Sequence, residues 1–126
     1  MATVFTQAGE ELLADILDGT ASVPAQWHIG WGTGAGTAAK GNTDLFTPAS
    51  EGRVAAAASQ PAADQNRFVA TITADATKTV TNAGLFSAAG AGSPPAGGIL
   101  FVHGDHAGIG LEAGDKIEYT IDIQWS

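Results

Sequence analysis

The chain has 126 residues, of which 17 are glycine and none is cysteine, and its formal net charge is -8. The length favours one domain, residues 1–126, and the lack of cysteine excludes disulfides, thiolate catalysis and cysteine-based zinc sites. Five lysines and arginines are too few for the basic surface of a nucleic-acid-binding protein. We expect neither a membrane-spanning segment nor a secretory signal, because no apolar run is long enough and no basic region precedes one at the N-terminus.

The N-terminal residues predict a short amphipathic helix. Residues 1–5 are apolar and form either an arm or a first strand. Thr6 can cap a helix that runs through Asp18, and Gly19 is placed to end it. This helix either covers a sheet of the same chain or docks on a neighbouring subunit through its apolar face. The apolar face consists of Ala8, Leu12, Leu13, Ile16 and Leu17.

A strand with two tryptophans is predicted at residues 26–32. Trp27, Ile29 and Trp31 alternate with polar or small residues and therefore face one side of the strand. Two tryptophans on one face indicate a core or an interface, because their exposure to water is costly. The glycine-rich loop that follows does not have the residue spacing of a phosphate-binding loop, so we expect no bound nucleotide.

Further strands are predicted in the second half. Residues 67–74 and 78–87 have strand patterns, and the short connection at 75–77 predicts a hairpin between them. Residues 99–103 predict a short buried strand, and the glycine-rich residues 104–114 predict a mobile connection.

The last run of the chain alternates over its whole length. One buried and one wetted face are therefore predicted, with Gly114-Asp115 as the turn before the strand. The side chains assigned to the buried face are those of Ile117, Tyr119, Ile121, Ile123 and Trp125. The complete set, six or seven short strands and one helix, favours a mainly β fold. We expect an antiparallel β-sandwich or a jelly-roll-like barrel with one short N-terminal amphipathic helix.

Chemistry-bearing residues form one weak cluster. His103, Asp105 and His106 lie close together, with His28 elsewhere, and can bind a divalent ion if the loop folds inward. Their alternative role is that of polar loop residues, and we predict no metal site. Because no nucleophile and base can be paired, we also expect no enzymatic activity, no cofactor and no small-molecule substrate.

The glycine and turn motifs of the chain resemble those of small β-rich structural proteins of tailed-bacteriophage virions. The resemblance extends over most of the chain in outline and rests on residues 31–34, 81–88, 97–100 and 111–117. Such proteins often have an acidic residue before the Gly-Leu-Phe sequence, where this chain has Asn82. The residues taken to define the fold are Trp31, Gly32, Gly34, Gly84, Leu85, Phe86, Gly114 and Asp115.

The resemblance implies a virion component that functions by binding. The first hypothesis is a capsid decoration protein that binds the major capsid protein and copies of itself on the outer surface of a phage head. The alternative is a tail, baseplate or fibre-adaptor subunit. Removal of residues 1–5 is expected to weaken capsid binding without unfolding the domain. The candidate assembly contacts are Val4, Phe5, Leu12, Leu13, Ile16 and Leu17.

A carbohydrate-binding β-sandwich is a further hypothesis. Trp27, Trp31 and Trp125 can form an aromatic platform for sugar rings if they are exposed. Their positions on the apolar sides of alternating strands favour burial instead.

Overall fold

The computed structural model describes residues 2–126 and has a mainly β fold with antiparallel sheets and one short helix. Within these residues no helix has the length and hydropathy needed to cross a membrane. The elements in chain order are β1 (Thr3–Phe5), α1 (Gln7–Asp18), β2 (His28–Gly32), β3 (Val54–Ala55), β4 (Ala57–Ala62), β5 (Gln65–Thr73), β6 (Lys78–Phe86), β7 (Leu100–Leu111) and β8 (Lys116–Gln124).

The strands form a larger and a smaller sheet. Sheet A has five strands in the order β1-β7-β6-β2-β3, and sheet B has three in the order β4-β5-β8. Both sheets contribute to one apolar core, in which Ile29 and Leu85 of sheet A cluster with Phe68 and Ile72 of sheet B. Leu12 of α1 belongs to the same cluster. Burial of these side chains is the main stabilising contribution to the fold.

The predicted hairpin of residues 67–87 is wrong, because β5 and β6 belong to different sheets. The chain bends from one sheet to the other at residues 74–77, and its partner strand bends at 112–115. Ala74 spans this corner, since its N–H donates to Asp115 and its carbonyl accepts from Gly114 N–H. The Gly114-Asp115 turn is therefore present, with a left-handed φ of 94° at Gly114.

One antiparallel register continues through this corner. Thr73 lies opposite Lys116 in sheet B, and Lys78 lies opposite Leu111 in sheet A. Five positions separate these two pairs on both strands, 73 to 78 on one and 111 to 116 on the other, so no residue is gained or lost in the register at the corner. The segments β5–β6 and β7–β8 form one long two-stranded ribbon that is folded across the core.

A single strand occupies the region predicted as a short strand and a mobile connection. Strand β7 runs from Leu100 to Leu111 and pairs with β6 and β1, so the predicted loop at 104–114 is wrong for most of its length. The register of β7 with β6 shifts between Val80 and Asn82, whose partners are Ile109 and Asp105, so the glycine-rich part of the strand carries an irregularity in the pairing.

The predicted helix and its ends are confirmed. Thr6 is the N-cap and its hydroxyl accepts from Gly9 N–H at 2.9 Å, while Gly19 ends the helix with φ 86°. Gly9 faces Phe101 of β7, where a Cβ would lie 2.7 Å from the Phe101 carbonyl oxygen. The helix therefore packs closely on sheet A.

The N-terminal residues form a strand rather than an arm. Residues 3–5 are β1, with Val4 opposite His103 of β7, and Phe5 packs on Phe101 with ring centroids 4.6 Å apart. Thr6 also donates to the Leu100 carbonyl. The expectation that the domain stays folded without residues 1–5 stays a prediction, and the deletion would remove an edge strand and an aromatic contact.

A long loop, residues 33–53, covers the face of sheet A that points away from sheet B. Leu45 from this loop forms a small apolar cluster with Phe86 and Leu100. Phe46 approaches β2 closely, since its carbonyl accepts from Gly34 N–H and from the amide of Asn82. The apolar side chain of Leu45 and the backbone of Phe46 therefore anchor the loop on sheet A.

We expect Gly32→Ala to destabilise the protein by about 1–3 kcal/mol, because an added methyl overpacks this contact. A Cβ on Gly32 would lie 3.0 Å from the Thr47 carbonyl oxygen and closer still to that of Phe46. The free energy of unfolding in urea measures the effect. The matched control is Gly41→Ala, where a Cβ meets nothing within 4 Å. Equal stability of the two variants would contradict the role assigned to Gly32.

Candidate assembly surface

An apolar groove lies between α1 and the C-terminal end of the chain. It has a volume of about 300 Å³, and its apolar walls are Phe5, Leu13, Leu17 and Trp125. Leu17 is 80% exposed and Trp125 is 37% exposed, so apolar surface is presented directly to solvent. Exposed apolar surface of this kind is typical of a binding site for another molecule.

The structure brings three of the six candidate assembly contacts to this groove, namely Phe5, Leu13 and Leu17. Leu12 faces inward and is buried, and Ile16 packs against the core. The helix face is therefore divided: one part covers the protein's own core and the other remains exposed. The remaining candidate, Val4, lies in β1 and is half-buried.

Sequence reasoning assigned Trp125 to the buried face of the last strand and missed its place in the groove. Strand β8 ends at Gln124, one residue earlier. The Trp125 indole N–H donates to Asn66 at 2.7 Å, and the ring packs edge-on against Phe5 with centroids 5.7 Å apart.

The other two tryptophans lie in or against the core. Trp31 is 2% exposed, and Trp27 packs against the rings of Phe68 and Phe101. An aromatic platform of all three tryptophans is therefore absent from the structure, and the carbohydrate hypothesis loses the feature that motivated it.

Six of the eight residues taken to define the fold, all except Gly114 and Asp115 of the corner turn, lie at or beside one contact between β2, β6 and the covering loop. Gly32 lies opposite Asn82 in the register of β2 and β6, and Gly84 packs against Leu100 and Leu45. Leu85 is fully buried. The motif segments at residues 31–34 and 81–88 are distant in sequence, but they are neighbours in the structure and have a structural role.

The two histidines and the aspartate of the cluster considered for ion binding have other hydrogen-bond partners. Both ring nitrogens of His103 lie 3.0 Å from amide oxygens, those of Asn42 and Asn82. Asp105 accepts hydrogen bonds from Ala2 N–H and Ala38 N–H. Among residues 2–126 no group of three or more histidine, cysteine, aspartate or glutamate side chains is arranged to hold a metal ion.

His103 is fully buried in sheet A, and this burial determines its protonation. Burial lowers the pKa of the His103 imidazole below 6.5, and the charges of Asp105 and Asp44 oppose this effect. A neutral imidazole has one N–H, so it donates to either Asn42 or Asn82 but not to both. The amide oxygens are held in place by backbone N–H groups, that of Ala39 for Asn42 and that of Phe46 for Asn82.

A buried ion pair lies at the corner of the ribbon. Lys78 forms ion pairs with Glu51 and Asp75, and the side chains of Lys78 and Glu51 are 10% and 6% exposed. Trp31 Nε1–H donates to Glu51 at 2.8 Å. Burial opposes ionisation of Glu51, but the hydrogen bonds from Lys78, Trp31 and Asp75 together hold its pKa below 4.5. These contacts join the covering loop to sheet A and to the corner of the ribbon.

A second cavity, of about 400 Å³, lies between β8 and sheet A. Tyr119 and His106 meet across its end, with the Tyr119 hydroxyl 2.8 Å from His106 Nε2. His106 Nδ1 lies 2.8 Å from the Ala107 carbonyl and therefore donates, which leaves Nε2 as the acceptor for Tyr119. Burial raises the pKa of Tyr119 strongly, so the phenol is a neutral donor.

Comparison of the chain with known protein families, with curated proteins and with solved structures gives no match.

We expect Glu51→Gln to lower the free energy of unfolding at pH 7 by about 2–3 kcal/mol, because it removes one partner of a buried ion pair. The folded-state pKa of Glu51 lies below 4.5, so its contribution is complete above pH 4.5 and is lost as the pH falls through the folded-state value. Urea unfolding of both proteins from pH 7 to pH 3 measures this.

The matched control for Glu51→Gln is Asp122→Asn, which removes the carboxylate of an exposed pair with Arg67. We expect a much smaller loss for this control, because water screens an exposed pair. A loss as large as that of Glu51→Gln would contradict the importance of burial.

We expect His103 to make folding less favourable at acid pH. Because its folded-state pKa lies below 6.5, the unfolded chain takes up a proton that the folded chain does not, and stability falls as the pH drops below 6.5. His103→Gln removes this slope and retains the further loss below pH 4.5. Unfolding free energies at pH 5, 6 and 7 check this. An unchanged slope in the variant would assign the titration to another group.

Proposed function

We propose that the protein is a structural component of a phage virion, a capsid decoration protein that binds the outer surface of the head and stabilises it. The resemblance of its motif segments to small virion proteins supports this assignment. Support also comes from the use of those segments as scaffold, with Gly32 and Gly84 packed under the covering loop. Its partners are then the major capsid protein and further copies of the chain.

The observation that carries the proposal is the apolar groove beside α1. Leu17 gains nothing from its position in the isolated chain, since it is 80% exposed at the end of a helix whose inner face is already packed. Docking of the groove on a shell protein removes this apolar surface from water, which favours association. Each contact needs only modest affinity, because neighbouring copies on the shell raise the effective concentration.

A decoration protein is favoured over a tail, baseplate or fibre-adaptor subunit by the charge and pattern of the chain. The 126 residues carry a net charge of -8 and show no heptad pattern of a long coiled coil. Mutual repulsion keeps such copies soluble before assembly.

We further infer that the two sheets form a β-sandwich rather than a jelly-roll-like barrel. One core cluster drawn from both sheets supports this arrangement, with Ile29 and Phe68 on opposite sides. The folded ribbon also supports it, because two continuous strands supply the central pairing of both sheets. A sandwich of this kind presents its edges and ends for assembly.

We expect Leu17→Asp to weaken binding to heads of the encoding phage by about tenfold or more, since it places a charge in the groove. The change in stability should stay within about 0.5 kcal/mol, because the side chain is exposed. Cosedimentation with purified heads measures binding, and urea unfolding measures stability.

The matched control is Val23→Asp, which makes the same kind of change at a position that is 65% exposed and outside the groove. It should bind as the unmodified protein does. If Leu17→Asp bound heads equally well, the groove would not be the contact. If the unmodified protein did not bind heads at all, the decoration function would be wrong.

A further inference from the structure

Strand β8 is an edge strand whose outer side has no partner in the part of the chain that the structure describes. It is nine residues long, and its register with β5 is unbroken from Lys116 to Gln124. A long, regular edge presents a row of backbone donors and acceptors that can pair with another strand.

The hydrogen bonds at the two ends of β8 show which residues face outward. Trp125 N–H donates to the Asp64 carbonyl, and the Asp115 carbonyl accepts from Ala74 N–H. Because backbone groups alternate in direction along an antiparallel strand, the odd-numbered residues of β8 direct their N–H and carbonyl groups toward β5. The even-numbered residues therefore direct both backbone groups to the open side. These residues are Lys116, Glu118, Thr120, Asp122 and Gln124.

The other sheet edges among residues 2–126 are short or irregular, including the part of β7 that extends past β1, whose register with β6 shifts between Val80 and Asn82. Strands β1 and β3 are three and two residues long, too short to template a partner. Strand β4 carries Pro61 and an irregular register between Ser59 and Ala62. Strand β8 has neither proline nor bulge, so it differs from all of these edges.

The cavity of about 400 Å³ runs along the open edge of β8. It contacts the four consecutive residues Tyr119 to Asp122, and consecutive strand residues point to opposite faces. A cavity that touches both faces of a strand must lie beside its backbone. Its far wall includes Thr3 of β1 and Val102 of β7, so an added strand would lie opposite sheet A and place alternate side chains in the cavity.

The charges along the open edge of β8 indicate what kind of strand can pair with it. Glu118 and Asp122 project from the exposed face of β8, where Arg67 pairs with Asp122, and Asp105 also lines the cavity. Three carboxylates thus stand against the two cations Arg67 and Lys116, and the surroundings keep an acidic excess. A second β8 paired about Thr120, the register that uses the whole strand, would place Glu118 opposite Asp122. Like charges in cross-strand positions are destabilising, whereas basic residues opposite these carboxylates are favourable.

We propose that the open edge of β8 binds an extended segment of another protein as a fourth strand of sheet B. The segment carries lysine or arginine on its exposed face and apolar side chains on the face toward the cavity. Main-chain pairing supplies affinity, and the alternate side chains supply specificity. This inference deepens the proposed function and rests on it in one respect, because it assigns the segment to the shell protein.

The first test uses a synthetic probe. The peptide has nine residues, in which valine alternates with threonine or lysine. Its two lysines are four positions apart, so that they match the spacing of Glu118 and Asp122 on β8. Binding by the unmodified protein, measured by isothermal titration calorimetry at low salt, is expected, with weakening as salt is added. A peptide with glutamate in place of both lysines should bind at least about tenfold more weakly. No binding of the lysine peptide would overturn the proposal.

The second test removes one backbone N–H from the open edge of β8 and leaves the hydrogen bonds between β8 and β5 in place. Thr120→Pro lacks the outward N–H, and proline is tolerated at this side of an edge strand. It should bind the lysine peptide at least about tenfold more weakly, while Thr120→Ala, the matched control, binds as the unmodified protein does. Equal binding by Thr120→Pro, with its fold confirmed by circular dichroism, would overturn the proposal.

A charge variant keeps the test decisive if Thr120→Pro does not fold. Glu118→Lys should weaken binding of the lysine peptide and strengthen that of the glutamate peptide. Unchanged preference would overturn the charge argument. Analytical ultracentrifugation measures self-association. A concentration-dependent dimer that Thr120→Pro abolishes would show that the edge binds a second copy of the chain, and it would overturn the assignment to a basic segment.

Binding to phage heads separates this inference from the proposed function. If the unmodified protein and Thr120→Pro bind heads equally, the β8 edge is not the contact, although the decoration function stands. If the unmodified protein binds the lysine peptide but not heads, the edge is supported, whereas its assignment to the shell is overturned together with the decoration function. Loss of both peptide and head binding in Thr120→Pro supports the inference in full.

Discussion

The backbone of Phe46 lies so close to β2 that a side chain at Gly32 would collide with it, and much of the structure depends on this approach. It brings the covering loop within reach of Asn82, whose amide both donates to and accepts from the Phe46 backbone. Asn82 in turn contacts the buried ring of His103. Polar groups that would otherwise be costly to bury are thereby satisfied, and sheet A is covered on both faces.

This contact also gives a physical meaning to the glycine motifs that suggested a virion protein. Gly32 and Gly84 are required by close packing, and neither presents chemistry to solvent. A motif of this kind reports how one sheet is covered. The surfaces proposed for binding lie elsewhere, at the α1 groove and along β8, so the motif and these surfaces occupy different parts of the molecule.

Local patterns in the sequence predicted local structure well. Thr6 and Gly19 defined the helix because capping depends on neighbouring residues. The alternation in β8 was correct for the same reason. The pairing of β5 with β6 was wrong, since the short connection at 75–77 fits either a hairpin or a bend between sheets. The choice between the two depends on residues outside the connection, such as Glu51, which is distant in sequence and forms an ion pair with Lys78 at the corner.

The candidate site was predicted only in part for a related reason. The apolar stripe of α1 was evident, but its division into a buried and an exposed part depends on where β7 and Trp125 lie. The cavity beside β8 could not be predicted, because it exists only once strands far apart in sequence are placed together. The edge position of β8 is likewise a property of strand order, which alternation does not encode.

The continuous register of the folded ribbon has a mechanical consequence. Strand β8 ends at the groove, beside Trp125, and is paired with β5 over its full length. A pull applied at Trp125 along the strand axis loads all of these backbone hydrogen bonds in shear, so they share the force instead of opening one after another. Beyond the corner the same ribbon continues into sheet A, and the load passes into the larger sheet through covalent bonds. The direction of attachment, as well as its affinity, therefore determines how much force the domain withstands.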